Sequence, residues 1–361
     1  MNNTLPELRA QIDAVDAQLL ELLNRRAGLA TLVGEIKRAE GSAVFRPERE
    51  AQVVRGLQAR NTGPLRANGI ASVWREVMSA CRALEAAQRV AFLGPAGTFS
   101  EQAALQFFGA SIERVPRNSF DDVFHAAASG AADFAVVPVE NSTEGAVSRC
   151  LDLFLHTPLH VVGETSLLVR HNLLRQSASL DGIEVVLAHP QALAQCQGWL
   201  NAHLPKAERR TASSNAEGAR LATTNPAWAG IASLQAGAEF GLHTVAPSIQ
   251  DDAFNRTRFL VVCLPQQMAA PAATGKDCVS LIASVPNRPG AVHDMLVPLK
   301  EHGVSMTRFE SRPARSGQWE YYFYLDIQGH PSQPHVAQAL HELQALCAFY
   351  KVLGTYPTGN Q

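Results

Sequence analysis

Residues 90–100 read Val-Ala-Phe-Leu-Gly-Pro-Ala-Gly-Thr-Phe-Ser. Four apolar residues make a short buried strand. Gly94, Pro95 and Gly97 break the chain, and Thr98 or Ser100 can cap a helix starting at Glu101. A strand that turns through glycines into a helix leaves backbone N–H groups facing a crevice, where anions bind well. An ordinary βα turn has the same glycine pattern. The stretch is also a border: everything before it reads as helix, everything after it as alternating α and β.

The bulk numbers frame this border. At 361 residues the chain has room for two or three domains. A net charge of −2 gives no field suited to nucleic acid or a membrane surface. Six cysteines are scattered without metal or redox spacing, which points to reduced thiols in a cytoplasmic protein. No signal peptide, membrane-spanning apolar run, P-loop or zinc-protease motif is visible.

Before the border, residues 1–88 predict three helices. Thr4 and Glu7 form a capping box, and apolar residues follow at Leu5, Leu8, Ile12, Val15, Leu19, Leu22, Leu29, Val33 and Ile36. Steps of three and four make a coiled-coil-like seam, with Arg26 in its one missing position. A helix ending near Gly41 spans roughly 50 Å, too long for a small compact domain, so it is expected to pack along a partner chain. Arg26 and Lys37, about three turns apart, share a face and can converge on one anion. Arg9 lies about 25 Å away and could reach only the pocket of an antiparallel partner. The plainer reading makes Arg26 a registry device and leaves Arg9 and Lys37 solvated. A second helix starts at Pro47 with Arg49 inward, and a third carries Ile70, Val73, Trp74, Val77, Met78, Cys81 and Leu84. Glu85 falls on that apolar face. Burial disfavours a charged carboxylate, so Glu85 could donate a hydrogen bond there; otherwise it is a frayed, exposed end.

This segment resembles the all-α chorismate mutase domain through Leu8-Arg9, Asn24-Arg25-Arg26, Lys37 and Pro47-Glu48-Arg49-Glu50. The resemblance implies a three-helix, intertwined dimer that rearranges chorismate to prephenate by restricting conformation and matching transition-state charge. It implies Arg9 (from the partner), Arg26 and Arg49 on the substrate carboxylates, Lys37 and Glu85 on the breaking ether oxygen, and Glu50 on the ring hydroxyl. Arg46 and Cys81 stand at further substrate positions, where some family members carry Asp and Ser; some carry Gln in place of Glu85.

After the border, strands are expected at 90–93, 134–137, 161–169, 185–188, 228–231, 243–246 and 259–264. Helices are expected at 101–108, 120–129, 146–155, 192–203, 215–223 and 233–240. The chain passes from one α/β lobe to another near residue 170 and returns near 245. Polar residues collect at strand ends, where open α/β sheets bind ligands: Thr98-Phe99-Ser100, Glu140-Asn141-Ser142-Thr143 and His189-Pro190-Gln191. Asn255-Arg256-Thr257-Arg258-Phe259 precedes the last strand and sets a hydroxyl between two arginines.

Together these stretches are similar to prephenate dehydratase over the length of the segment, in the motifs Gly94-Pro95-Ala96-Gly97-Thr98-Phe99-Ser100, Val137-Pro138-Val139-Glu140-Asn141-Ser142, His189-Pro190-Gln191 and Thr257-Arg258-Phe259. The family fold is a two-lobed, periplasmic-binding-like α/β domain with the site between the lobes. The implied reaction expels CO₂ and the ring hydroxyl from prephenate, driven by aromaticity. By resemblance Thr257 assists the departing hydroxyl, and Glu140, Asn141 and Gln195 orient the substrate. Thr98, Phe99 and Ser100 with their amides, together with Ser142 and Arg258, bind it.

Residues 266–275 form an Ala- and Pro-rich linker, and the rest reads strand, helix, strand, strand, helix, strand, an α+β ferredoxin-like order. It resembles an ACT regulatory domain through Gly290-Ala291-Val292 and Glu310-Ser311-Arg312-Pro313. The resemblance implies L-phenylalanine bound at a dimer interface by these residues, Gly290 supplying backbone donors to a carboxylate. An ACT-like dimerisation module without ligand is the alternative.

The expected organisation is a chorismate mutase domain over 1–88, a prephenate dehydratase domain over 89–265 and an ACT domain over 276–356. That is the order of the bifunctional chorismate mutase–prephenate dehydratases. It implies chorismate and prephenate as substrates, phenylalanine as effector, a homodimer or larger assembly, and no metal or organic cofactor. Rivals are a dehydratase acting on arogenate and a phenylalanine sensor with decayed catalytic lobes.

Overall fold

A computed structural model describes residues 4–41, 43, 45–268, 271–314 and 320–359. Residues 269 and 270 of the expected linker lie outside the described residues, as does residue 319, the first of a strand the sequence predicts over 319–328.

The chain opens with three helices, α1 (Leu5–Glu40), α2 (Pro47–Arg60) and α3 (Ala67–Glu85). α1 starts where the Thr4 amide donates to the Glu7 carboxylate at 2.8 Å and stops at Gly41, which takes the left-handed φ of 64°. Its 36 residues run about 54 Å. Its seam is open to solvent: Leu5, Ile12, Val15, Leu19, Leu22, Leu29 and Ile36 are each at least half exposed. The helical unit docks on the rest of the chain through Phe45, 5 % exposed, which packs against Phe107, Phe108 and Phe134.

The middle of the chain forms two α/β lobes. Its elements in order are β1 (Arg89–Leu93), α4 (Phe99–Phe108), β2 (Glu113–Arg117), α5 (Phe120–Ala128), β3 (Phe134–Asn141), β4 (Gly145–Ala146), α6 (Ser148–His156) and β5 (His160–Leu168). The second lobe adds β6 (Asn172–Arg175), β7 (Val185–Ala188), α7 (Pro190–Gln195), α8 (Gln197–His203), β8 (Glu208–Thr211), α9 (Asn215–Ala222), β9 (Trp228–Ala232), α10 (Leu234–Glu239) and β10 (His243–Ala246). β11 (Arg256–Cys263) returns to the first lobe. The first sheet runs β2-β1-β3-β11-β5 with β4 beside β3; the second runs β10-β6-β9-β7-β8. The chain crosses between lobes at 169–171 and 247–255, as the sequence predicts. It contains strands that hydrophobic patterning misses. β2 (Glu-Arg-Val-Pro-Arg) and β8 (Glu-Arg-Arg-Thr) are polar because each lies at a sheet edge, where one side meets water and a proline is tolerated. The helix expected over 192–203 begins earlier, at Pro190, and breaks at Cys196 into α7 and α8.

The last segment is β12 (Asp277–Ser284), α11 (Ala291–Glu301), β13 (Met306–Pro313), β14 (Tyr321–Gln328), α12 (Pro334–Leu346) and β15 (Phe349–Pro357), with sheet order β13-β14-β12-β15. One face of this sheet covers its two helices. From the other, Cys278, Ile282, Tyr324, Leu353 and Tyr356 enter the core of the first lobe beside Val123, Leu151, Phe154 and Val161. Polar ties complete the joint. The Lys351 ammonium donates to the carbonyls of Phe154 (2.8 Å) and Thr157 (2.7 Å) at the end of α6. The Tyr324 hydroxyl donates to the Leu151 carbonyl (2.7 Å).

Candidate active sites

Between the lobes lies a cavity of about 250 Å³. The N-terminus of α4 forms one wall. Thr98 caps that helix by accepting from the Glu101 amide at 3.3 Å. Buried Glu101 accepts from Gly97 N at 2.6 Å and from Arg114 at 3.0 Å. Gly97 has φ 84°, and a Cβ there would stand 3.0 Å from the Ala236 Cα. The glycine is thus needed both for its turn and for the approach of the second lobe. Ser233, at the head of α10, donates to the Gly97 carbonyl at 2.9 Å and holds the lobes together.

The rest of the lining includes a chain of hydrogen-bonded side chains. His171 Nε2 lies 2.8 Å from Gln195 Oε1, which also accepts from Asn255 Nδ2 at 3.1 Å. Asn141 Nδ2 donates to Asn255 Oδ1 (2.8 Å), to the Arg256 carbonyl (3.2 Å) and to Thr257 Oγ1 (2.9 Å). Asn141 Oδ1 accepts from the amides of Thr143 and Glu144, each at 3.1 Å. Thr257 therefore serves Asn141 as acceptor, which leaves its O–H able to donate into the cavity. Burial lowers the pKa of His171, so the ring is neutral and Nε2–H is the donor to Gln195. His171 Nδ1 is buried with no hydrogen-bond partner among the described residues.

Of the residues singled out from sequence, Thr98, Phe99, Ser100, Asn141, Gln195 and Thr257 line this cavity. Glu140, Arg258 and Ser142 do not. Thr257 pairs across the strands with Asn141, and Arg258 pairs with Glu140. Side chains alternate along a strand, so the second pair faces away from the cleft, toward the last segment. Arg258 there meets Glu164, Asp326 and Tyr356, and Glu140 meets Arg308. Ser142 sits outside the cavity, its hydroxyl accepting from Arg256 N at 2.9 Å. His171 and Asn255 are absent from the sequence-derived site. The period of two that separates Thr257 from Arg258 also puts Asn255 beside Thr257, and that signal was available. A single histidine after a strand carries none.

A second cavity, of about 560 Å³, opens among α1, α2 and α3. Arg26 and Lys37 enter it from α1, Arg49 and Glu50 from α2, Arg46 from the head of α2, and Cys81 and Glu85 from α3. α3 approaches closely because position 34 is glycine: a Cβ there would lie 3.0 Å from the Glu85 Cβ. Glu85, its side chain 8 % exposed, accepts from Lys37 Nζ at 3.1 Å. It is buried as expected but meets a cation as acceptor. Arg82, absent from the sequence-derived site, is ion-paired with Glu50; it also donates to Gln88 Oε1 (3.1 Å) and to the Phe108 carbonyl of α4. Arg9 is exposed on α1 and does not line the cavity.

In the last segment Gly290 has φ 80° and stands at the head of α11, followed by buried Ala291; Val292 packs on the core of this unit. Glu310, Ser311 and Arg312 lie on β13, two strands and about 10 Å from β12. Among the described residues no hydrogen bond or ion pair joins the two groups. Arg312 reaches instead to Asp152 (2.9 Å) and Ser148 (2.7 Å) on α6.

An all-helical unit with a cationic pocket, a two-lobed α/β unit with a cleft and a ferredoxin-like unit define a two-site enzyme with a regulatory module. Family models match in the same order: chorismate mutase type II over 8–86, prephenate dehydratase over 90–267 and the ACT domain over 279–345. The bifunctional chorismate mutase/prephenate dehydratase of Neisseria gonorrhoeae is 46 % identical over 99 % of each chain. A solved prephenate dehydratase from Arthrobacter aurescens in complex with L-Phe covers 74 % of this chain and 89 % of its own, at 33 % identity and a TM-score of 0.68. GqqA, described as a quorum quenching acylase, covers 75 % of this chain and 98 % of its own, at 28 % identity and a TM-score of 0.69. The chain belongs to the bifunctional chorismate mutase/prephenate dehydratases. It is an isomerase and a lyase of phenylalanine biosynthesis, with an ACT regulatory domain.

Proposed function

We propose that residues 1–88 rearrange chorismate in the helical cavity, residues 89–265 convert prephenate to phenylpyruvate in the cleft, and residues 276–356 sense L-phenylalanine. In the helical cavity Arg26 and Arg49, with Arg9 of a second chain, take the substrate carboxylates, and Arg46 lines the pocket beside them. Lys37 and Glu85 face the ether oxygen, Glu50 the ring hydroxyl, and Cys81 packs beside them. Arg9 of a second chain closes the pocket. What favours a homodimer is the exposed apolar seam of α1, which one chain leaves uncovered. In the cleft the amides at the head of α4, with Thr98, Phe99 and Ser100, take a carboxylate. Asn141 and Gln195 orient prephenate, and Thr257 donates a hydrogen bond to the departing hydroxyl. The carboxylate that leaves as CO₂ stays ionised, its bonding electrons complete the aromatic ring, and the hydroxyl departs as water with a proton. The observation that carries this reading is the Thr257 hydroxyl fixed as acceptor by Asn141 at 2.9 Å, with its proton free for the substrate.

Phenylalanine is read by two ACT domains together, Gly290, Ala291 and Val292 of one facing Glu310, Ser311 and Arg312 of the other. Cytoplasmic location is in keeping with six free cysteines and, among the described residues, no helix long and apolar enough to cross a membrane. Steady-state assays of prephenate against arogenate, with and without phenylalanine, test the reading. Turnover of prephenate suppressed by phenylalanine supports it, and turnover of arogenate alone overturns the substrate assignment.

A further inference from the structure

The displaced pair Arg258 and Glu140 has its own geometry. Each sits next in sequence to a cleft residue, Arg258 to Thr257 on β11 and Glu140 to Asn141 on β3, and the two pairs are consecutive rungs of one antiparallel ladder. On the far face both are gripped by the last segment. Arg258 donates to Tyr356 Oη at 3.2 Å, is ion-paired with Asp326, and donates to Glu164 of neighbouring β5 at 2.8 Å. Asp326 and Tyr356 are 3 % and 1 % exposed, and Ser280 bonds both. Arg308 on β13 contacts Glu140 at 3.3 Å and donates to the Val139 carbonyl at 3.3 Å, reaching both the side chain and the backbone of β3.

We propose that the ACT sheet holds the dehydratase ladder from behind. Asp326 and Tyr356 act through Arg258, and Arg308 acts through Glu140, to fix the rung at which Thr257 and Asn141 meet. Arg258 and Glu140 are positioning residues, and their ties are the contacts through which the ACT domain acts on the cleft. A strand is stiff along its length, so a shift of Arg258 moves Thr257, the next residue. A misplacement on the order of 1 Å at a reacting group costs up to about 100-fold in rate. The two ties reach different strands from different ACT strands, so a rotation of the ACT sheet would shear Thr257 against Asn141. The inference rests on the dehydratase reading of the cleft.

The test uses the full-length chain with Asp326→Asn, Arg308→Gln and Arg308→Lys. Wild type must first turn over prephenate; if it does not, the cleft reading fails and this proposal falls with it. Asp326→Asn and Arg308→Gln are each expected to lower dehydratase kcat by about tenfold or more with KM changed less than about threefold. Mutase kcat should stay at the wild-type value, and the response to added L-phenylalanine should weaken. Arg308→Lys keeps a charge on Glu140 and is expected to recover part of kcat. Wild-type dehydratase kcat and phenylalanine response in both Asp326→Asn and Arg308→Gln would overturn the proposal. If Asp326→Asn fails to fold, Arg308→Gln decides alone, because its partner Glu140 is 43 % exposed and tolerates the loss.

Discussion

Replacing Thr257 by valine removes one hydroxyl and little else. The branched shape is kept, and Asn141 Nδ2 retains Asn255 Oδ1 at 2.8 Å and the Arg256 carbonyl at 3.2 Å. Losing one hydrogen bond of this kind costs about 1 kcal/mol of stability, a small part of what holds the domain. The effect on turnover is far larger, because this hydroxyl donates the hydrogen bond that assists the leaving group. General acid assistance contributes about 10²–10⁴ in rate, or roughly 3–5 kcal/mol of barrier. Thr257→Val is therefore expected to lower dehydratase kcat by about 100-fold or more while KM for prephenate shifts less than about threefold. Thr257→Ser should return much of the rate. The assay follows phenylpyruvate from prephenate, with chorismate consumption by the same preparation as an internal control. A Thr257→Val protein whose dehydratase kcat lies within tenfold of wild type would refute the assignment. Equal loss of both activities would trace the defect to folding instead.

Other perturbations separate the sites. Asn255 is 1 % exposed and links Asn141 to Gln195; Asn255→Ala removes one hydrogen bond from each, while Asn141 keeps the Arg256 carbonyl and Thr257 Oγ1 and Gln195 keeps His171, so it should cost about 1–3 kcal/mol in urea unfolding and lower dehydratase turnover. Lys37→Met leaves the Glu85 carboxylate without its 3.1 Å ammonium contact in a pocket where Glu85 is 8 % exposed; mutase kcat should fall about 100-fold and dehydratase turnover should be unchanged. Phe45→Ala opens a cavity among Phe107, Phe108 and Phe134 and should cost about 3–5 kcal/mol by calorimetry. His171 has a folded pKa below its ordinary 6.5 because it is buried. The unfolded chain therefore takes up the proton first, and stability is complete above pH 6.5 and declines as pH falls below it. His160 is lowered by burial and by Lys351 and adds to the same trend. Thermal melts at pH 7.5 and 5.5 should show a smaller loss for His171→Gln than for wild type.

Much of this was legible in the amino-acid order because the governing physics is local. Thr98 and Gly97 announce a strand turning into a helix, and Gly41 and Pro47 punctuate the helices. The spacing of Arg26 and Lys37 puts both on one face of α1, where they enter one cavity. The edge strands β2 and β8 were hidden because half their surface is solvated and their residues look like loop. Arg258 and Glu140 were drawn toward the cleft by their neighbours. Strand alternation sends them the other way, and only the docking of the ACT sheet shows what they meet. Arg82 and His171 depend on partners far along the chain, Phe108 and Gln195, so no local pattern marks them.

The central claim is that one chain carries both reactions under a regulatory domain. The most direct test gives purified protein chorismate alone and follows chorismate, prephenate and phenylpyruvate over time, with and without L-phenylalanine. Prephenate that rises and then gives way to phenylpyruvate, with the second step suppressed by phenylalanine, is the predicted result. Chorismate left unconsumed by folded protein, or prephenate that accumulates and is never converted, would contradict it.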